Sequence, residues 1–266
     1  MRAAVVSRTL ADGRGMLLWL CFGLALFAAL TISFFPTFKD QGEVMMKVMP
    51  SFLRKMMGAR APWNTVEGFA HWELTHPLFI ALSLTWGVAF ASRAIAGAIE
   101  RGTLGLVLAN PISRTRYYME CVAAMLIGEA IAIGVGVLAF SIGFYALGLP
   151  PRGGLPGIGL TFLQGVLVYG AFGALVLLVS SIASEGSKAV AFGISIIALS
   201  AFLTLFAPVV EPLKHVEWLS LFYFYHPYEA LRGLASPIEH YLIPLGVASG
   251  ALAIGWRAFL RRDLSI

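Results

Sequence analysis

Charged side chains are scarce in this sequence of 266 residues: Asp, Glu, Lys and Arg together reach 12%, while apolar residues make up 59%. Soluble domains carry about 25% charged residues, so the chain lacks the polar surface that would cover a water-soluble globule of its size. Cysteine is scarcer still. Cys21 and Cys121 both lie in or beside apolar segments, which excludes a disulfide framework or a CxxC metal pair and leaves them as small apolar residues. No GxxxxGK[ST] phosphate loop occurs, and Ser184-Glu185-Gly186-Ser187-Lys188 is only a short polar turn. Any ATP is therefore expected on another chain. None of His71, His76, His215, His226 and His240 falls inside an apolar run, which removes the nucleophile and metal chemistry of an intramembrane enzyme.

What the chain has instead is long apolar runs, such as Met16 to Phe35 and Val122 to Leu147. Each matches the ~20 residues needed to cross ~30 Å of hydrocarbon. The first follows Arg2, Arg8 and Arg14 but ends in Phe34-Phe35-Pro36 without small residues for cleavage. It is also longer than the ~7–15-residue core of a secretion signal, so it reads as a retained span. Segments at about 15–35, 78–98, 118–147, 160–182, 189–209 and 241–260 predict an all-α integral membrane protein with six transmembrane helices. The short pieces on one side hold Arg93, Arg101, Arg114, Arg116, Lys188, Arg257 and the pair Arg261-Arg262. The positive-inside rule places that side, with both termini, in the cytosol.

Two segments on the outer side are more apolar than loops. Between 36 and 77, Met45, Met46, Met49, Phe52, Leu53 and Met56 recur at helical spacing opposite Lys47, Arg54 and Lys55, the pattern of an amphipathic helix lying on the membrane or on its own spans. Between 210 and 240, Trp218, Phe222, Tyr223, Phe224, Tyr225 and Tyr228 suit an outer helical hairpin resting at the interface. The outer Met and His residues share a compartment, and thioether with imidazole suits copper. No HxxxH or MxxM cluster combines the two types, and no metal ligand is assigned.

The most informative piece joins the second and third spans. Glu100 and Arg101 end an apolar run, Leu104, Val107 and Leu108 recur at i, i+3 and i+4, and Pro111 stops the pattern. A short amphipathic helix over about 99–109 is expected, with two readings open: it lies flat in lipid, or it fills a groove on a partner protein. Glu100-x-Gly102-Thr103-Leu104 followed by Asn110-Pro111-Ile112-Ser113-Arg114 resembles a segment of the ABC-2 type permeases, the membrane subunits of ABC exporters. Val5 to Gly15 is similar to that family's interfacial elbow helix. Leu219-Ser220-Leu221-Phe222-Tyr223 is similar to its motif before the last span, and Phe259-Leu260-Arg261-Arg262-Asp263-Leu264 to its usual ending.

The resemblance implies a single ABC-2 type transmembrane domain over residues 1–266. It implies a multi-pass protein of a bacterial or archaeal cytoplasmic membrane that is not itself an enzyme. It makes Glu100, Arg101, Gly102, Thr103 and Leu104 the coupling helix that docks on the ATPase. The expected partners are two copies of an ABC ATPase subunit, which bind the ATP and Mg, and a second permease chain, identical or homologous. Ionisable residues within spans are functional candidates by default, and Glu129 lies deep in the third. It either lines a substrate pathway or hydrogen-bonds a neighbouring helix. Alternatives to an ATP-driven exporter are an ion-coupled secondary transporter, for which inverted repeats are not evident, and a permease serving copper-enzyme maturation.

Overall fold

In a computed structural model, which describes residues 4–52 and 61–263 without the side chains of residues 4, 5, 7–9, 42, 43, 45 and 46, the first apolar run lies within helix α1 (Ala4–Val48). Leu20, Leu24, Ala28, Ile32 and Phe35 form its buried stripe, one or nearly one turn apart. Leu18, Trp19, Phe22, Leu26, Leu30 and Phe34 point outward and are exposed. A helix apolar on both faces needs lipid on the face that protein does not cover.

Further helices among the described residues are α2 (Val66–Leu74), α3 (Pro77–Ala94), α4 (Ala96–Glu100), α5 (Thr103–Leu108), α6 (Arg114–Ala146), α7 (Gly154–Ile182), α8 (Gly186–Phe206), α9 (Glu211–Lys214), α10 (Pro227–Leu231) and α11 (Glu239–Arg261). There is no strand among the described residues. Six helices, α1, α3, α6, α7, α8 and α11, are long and apolar enough to cross a membrane. At 1.5 Å per residue the 18 residues of α3 span about 27 Å and the 33 of α6 about 50 Å. The longer helices thus project beyond the hydrocarbon.

Helix α7 sits at the centre, against α3, α6, α8, α10 and α11. Val168, Tyr169, Phe172, Val176 and Leu177 along it have no exposed surface. Small residues let α6 approach its neighbours closely, since a Cβ on Gly128, Gly136 or Gly143 would fall within 2.1–2.6 Å of Trp86, Phe79 or Ile32 respectively. Both chain ends lie at one end of the bundle. There the Val6 amide donates to Glu120 Oε2 (3.2 Å), and Arg114 donates to the carbonyls of Leu260 (3.3 Å) and Arg262 (2.7 Å). We call this the basic end.

Four expectations change. Val5 to Gly15 is not a separate elbow but the first turns of α1, since no proline precedes Pro36 and the glycines at 13, 15 and 23 are accommodated within the helix. The helix also continues through Pro36 to Val48. The expected amphipathic helix therefore begins as an extension of α1; Phe52 is exposed, whereas Leu53, Arg54, Lys55 and Met56 lie outside the described residues. The 78–98 run breaks at Ile95, whose backbone leaves the helical region (φ −120°, ψ −67°) and separates α3 from α4.

The 210–240 segment is not a hairpin at the interface. It is a chain of short helical pieces, α9, two 3-10 turns at Glu217–Leu219 and Leu221–Phe224, and α10. It folds inward, burying Leu221, Phe222, Phe224, Tyr225 and Leu231 against the bundle. Polar anchors hold it there. Ser220 Oγ donates to the Ser200 carbonyl of α8 (2.9 Å), and the His226 amide donates to the buried Gln164 Oε1 of α7 (3.2 Å).

Candidate functional site

The basic end is organised around the connection between α3 and α6. After Ile95 breaks α3, the freed amide of Ala96 donates to Ser180 Oγ near the end of α7 (2.9 Å), and that hydroxyl donates to the Ser92 carbonyl of α3 (3.3 Å). One buried serine thus satisfies backbone groups that the break would leave unpaired. Four residues on, Glu100 Oε2 accepts the amide of Gly186, the first residue of α8 (2.9 Å). Glu185 makes no side-chain cap there, so Glu100 supplies from a distance the anionic acceptor that a helix N-terminus favours. Gly186 sits close enough that a Cβ would lie 3.3 Å from the Ser92 carbonyl oxygen and 3.4 Å from Gly97 Cα.

Arg101 and Gly102 then interrupt the expected single helix over 99–109, leaving two short helices, α4 and α5. Gly102 has φ +65°, the left-handed conformation that side chains resist, while nothing lies within 4 Å of where its Cβ would be. Backbone conformation rather than space is what calls for glycine here. Thr103 Oγ1 donates back to the Ala98 carbonyl (3.2 Å), bridging the turn.

The apolar stripe of α5 faces the protein's own spans. Leu104 is buried and Val107 and Leu108 are half-buried against the core beneath. Arg101, Gly102, Thr103 and Leu106 face outward, and Leu106 is 72% exposed. Leu106 escapes sequence reasoning because its flanking periodic pattern points the other way. Arg262 completes this end: its Nη1 donates to the carbonyls of Ser181 (3.1 Å) and Ala183 (2.7 Å), a cation at the C-terminal end of α7.

Glu129 stands apart from this cluster, midway along α6. It is 1% exposed, and neither carboxyl oxygen has a hydrogen-bond partner among the described residues. It lies against Gly87 of α3, where a Cβ would be 2.9 Å from Oε2 and 3.5 Å from Gly173 Cα of α7. The glycine at 87 leaves the room that this carboxyl occupies.

At the opposite end of the bundle, a cavity of about 430 Å³ lies between α3, α8 and the inward-folded segment. Burial raises the carboxyl of nearby Glu73 to about 7 and lowers His76 from its ordinary value. Sequence reasoning places the histidines on this side but not together, since His71, His76 and His226 come to line one cavity only through the fold. No group of three His, Cys, Asp or Glu among the described residues is arranged to hold a metal ion.

A family model described as ABC-2 family transporter protein matches residues 14–264. No curated protein matches the chain.

Proposed function

The chain belongs to the ABC-2 transporter family, a multi-pass membrane transport component, and on that premise we propose that it forms the substrate pathway of an ATP-driven exporter. The basic end faces the cytosol, as the positive-inside rule implies for its cluster of Arg residues. A separate ATPase subunit docks there, and ATP with Mg is bound and hydrolysed on that subunit. Two ATPase copies and a second permease chain complete the transporter, with the chain residing in a prokaryotic cytoplasmic membrane.

The observation that carries this reading is the bracket formed by residues 96–104. Through Ser180 and Glu100 it is tied to α3, to the end of α7 and to the start of α8 at once. Each such bond is worth only about 1 kcal/mol, but a push on Glu100, Arg101, Gly102, Thr103 or Leu104 reaches three spans together. Such a link converts an ATPase movement into a rigid-body shift of helices. Leu106 is the exposed apolar contact for the ATPase groove.

Glu129 meets the pathway in this reading when α3, α6 and α7 part, a role supported by the lack of a hydrogen-bond partner for either carboxyl oxygen among the described residues. Inward-closed and outward-open states then differ in whether that carboxyl is hydrated, and the substrate-bearing state is selected by ATP.

The test is co-expression with ABC ATPases encoded beside this chain's gene, purification in lipid nanodiscs and assay of vanadate-sensitive ATP hydrolysis. A stable complex that hydrolyses ATP supports the reading, and Leu106→Asp is expected to weaken the complex at least about tenfold by placing a charge in the groove. Absence of any bound ATPase, with ion-driven flux by the chain alone, would overturn it in favour of a secondary transporter.

A further inference from the structure

The cavity at the end opposite the ATPase face has two unlike walls. One is apolar and comes from the transmembrane helices, with Ile80 of α3 and Ile197 and Ala201 of α8. The other is polar and aromatic, from the inward-folded segment, with Tyr225, His226 and Glu229. Among the described residues, the carboxylates of Glu217 and Glu229 line the space with the imidazoles of His71, His76 and His226, and no Lys or Arg does. Arg232, close to Glu229 in sequence, is held outside it, stacked 5.2 Å from the Tyr228 ring centre with its Nη1 3.4 Å from that hydroxyl.

The polar wall is built but not satisfied. The Tyr225 hydroxyl and His226 Nε2 are buried without a hydrogen-bond partner among the described residues, and Glu229 Oε2 meets His226 Nδ1 only at 3.6 Å. A buried polar atom left so is destabilising, a cost that a bound polar group removes. Burial works against ionisation of Glu229, yet its contact with His226 and the nearby imidazole of His71 hold its carboxyl below the ordinary value, so it is anionic at neutral pH.

The wall is also fixed in place. Gln164 of α7, itself without exposed surface, accepts the His226 amide and donates to Ser236 Oγ (3.0 Å) and the Tyr241 hydroxyl (3.2 Å). A site already shaped binds without a large ordering cost. An apolar wall facing an anionic carboxylate and tyrosine faces, with no lysine or arginine among its described lining residues, selects positive charge carried on an apolar body.

We propose that this cavity is a binding site for amphiphilic organic cations, the apolar body lying on α3 and α8 and the cationic centre between Glu229 and the tyrosine rings. The site is a property of this chain alone and does not rest on coupling to an ATPase.

The experiment is equilibrium binding of radiolabelled tetraphenylphosphonium to the full chain in nanodiscs, without ATPase or nucleotide. Empty nanodiscs supply the lipid partition, and tetraphenylborate is the anion of the same shape. We expect one saturable site per chain that tetraphenylborate does not occupy. Glu229→Gln should weaken it about tenfold or more, and Ala201→Phe, which fills the apolar side, should abolish it while the thermal unfolding of both variants stays close to that of the wild type. Gln164→Leu, which frees the His226 backbone, should weaken binding without changing the charge preference. Absence of saturable binding to folded protein overturns the proposal. So does equal binding of the anion, or an unchanged affinity in a folded Glu229→Gln variant. Because no ATPase is present, none of these outcomes depends on whether the exporter reading holds.

Discussion

Gly128→Val tests how tightly α3 and α6 are locked around Glu129. A Cβ at Gly128 would lie 2.1 Å from both Nε1 and Cε2 of Trp86, atoms of a side chain with no exposed surface. The indole is enclosed on all sides, and moving it breaks the hydrogen bond that Nε1 donates to the Met125 carbonyl (3.1 Å). Over-packing of this kind costs about 1–3 kcal/mol, and the broken bond adds roughly 1 kcal/mol. In a bilayer the loss falls on helix packing rather than on water exclusion, so most of it should appear as separation of α3 from α6.

The assay is thermal unfolding in nanodiscs, followed by far-ultraviolet circular dichroism, with Trp86→Leu and the double variant completing a mutant cycle. Trp86→Leu alone opens a cavity, and in the double variant the valine side chain introduced by Gly128→Val occupies part of that space. The double variant is therefore expected to lose at least about 1 kcal/mol less than the sum of the single losses. Simple additivity, or a Gly128→Val variant as stable as the wild type, refutes the packing described here.

Other consequences are as direct. Glu73 lies outside the spans, and burial raises its folded value to about 7 from an ordinary 4.5. The folded protein therefore holds this proton more tightly than the unfolded chain does. The associated stability is fully present below about pH 4.5 and is lost as pH rises through about 7. Unfolding temperature should fall over that window, and Glu73→Gln should flatten the fall; an unchanged slope would show that Glu73 does not carry it. Arg262→Ala removes both hydrogen bonds at the end of α7 and should cost about 1–2 kcal/mol, read as faster amide exchange around Ser181 to Ala183; unchanged exchange there counts against the cap. Glu67→Ala leaves the Arg152 amide without its 2.8 Å acceptor and should cost about 1–3 kcal/mol by thermal unfolding. An unaltered unfolding temperature would show that the link between α2 and the 150–154 turn is unimportant.

The spans are readable because crossing a bilayer demands length and apolarity, both of which are local properties. Their number follows from six runs that need no knowledge of partners. The ends are less readable. Nothing in Ser33-Phe34-Phe35-Pro36-Thr37 says whether the helix stops or carries on, because a proline in lipid-facing helix is tolerated as readily as at a boundary. Ile95 is an unremarkable apolar residue, and its break depends on Ser180, 84 residues from the amide that it receives.

The same holds for the functional ends of the molecule. Glu100 is singled out by resemblance, but its bond to Gly186 joins residues 86 apart and has no local signal. Tyr225, His226 and Glu229 look like interfacial residues when read alone, since aromatic rings suit both a membrane boundary and a buried cluster. Gln164 is the clue present in the sequence: a lone amide in an apolar run needs partners, and it finds them in the segment that folds back.

The most direct test of the central claim asks whether Glu100 carries motion from the ATPase face to the far end. Spin labels at Leu155 and Trp218, both exposed beyond the basic end, in a variant with Cys21 and Cys121 replaced, report their separation by double electron–electron resonance in the nanodisc complex with its ATPase. The wild-type distance distribution should shift on trapping with ATP and vanadate, and Glu100→Gln should keep the ATPase bound while losing most of that shift. An equal shift in the Glu100→Gln complex would contradict the account, because the bracket would then not be the route by which ATP moves the spans.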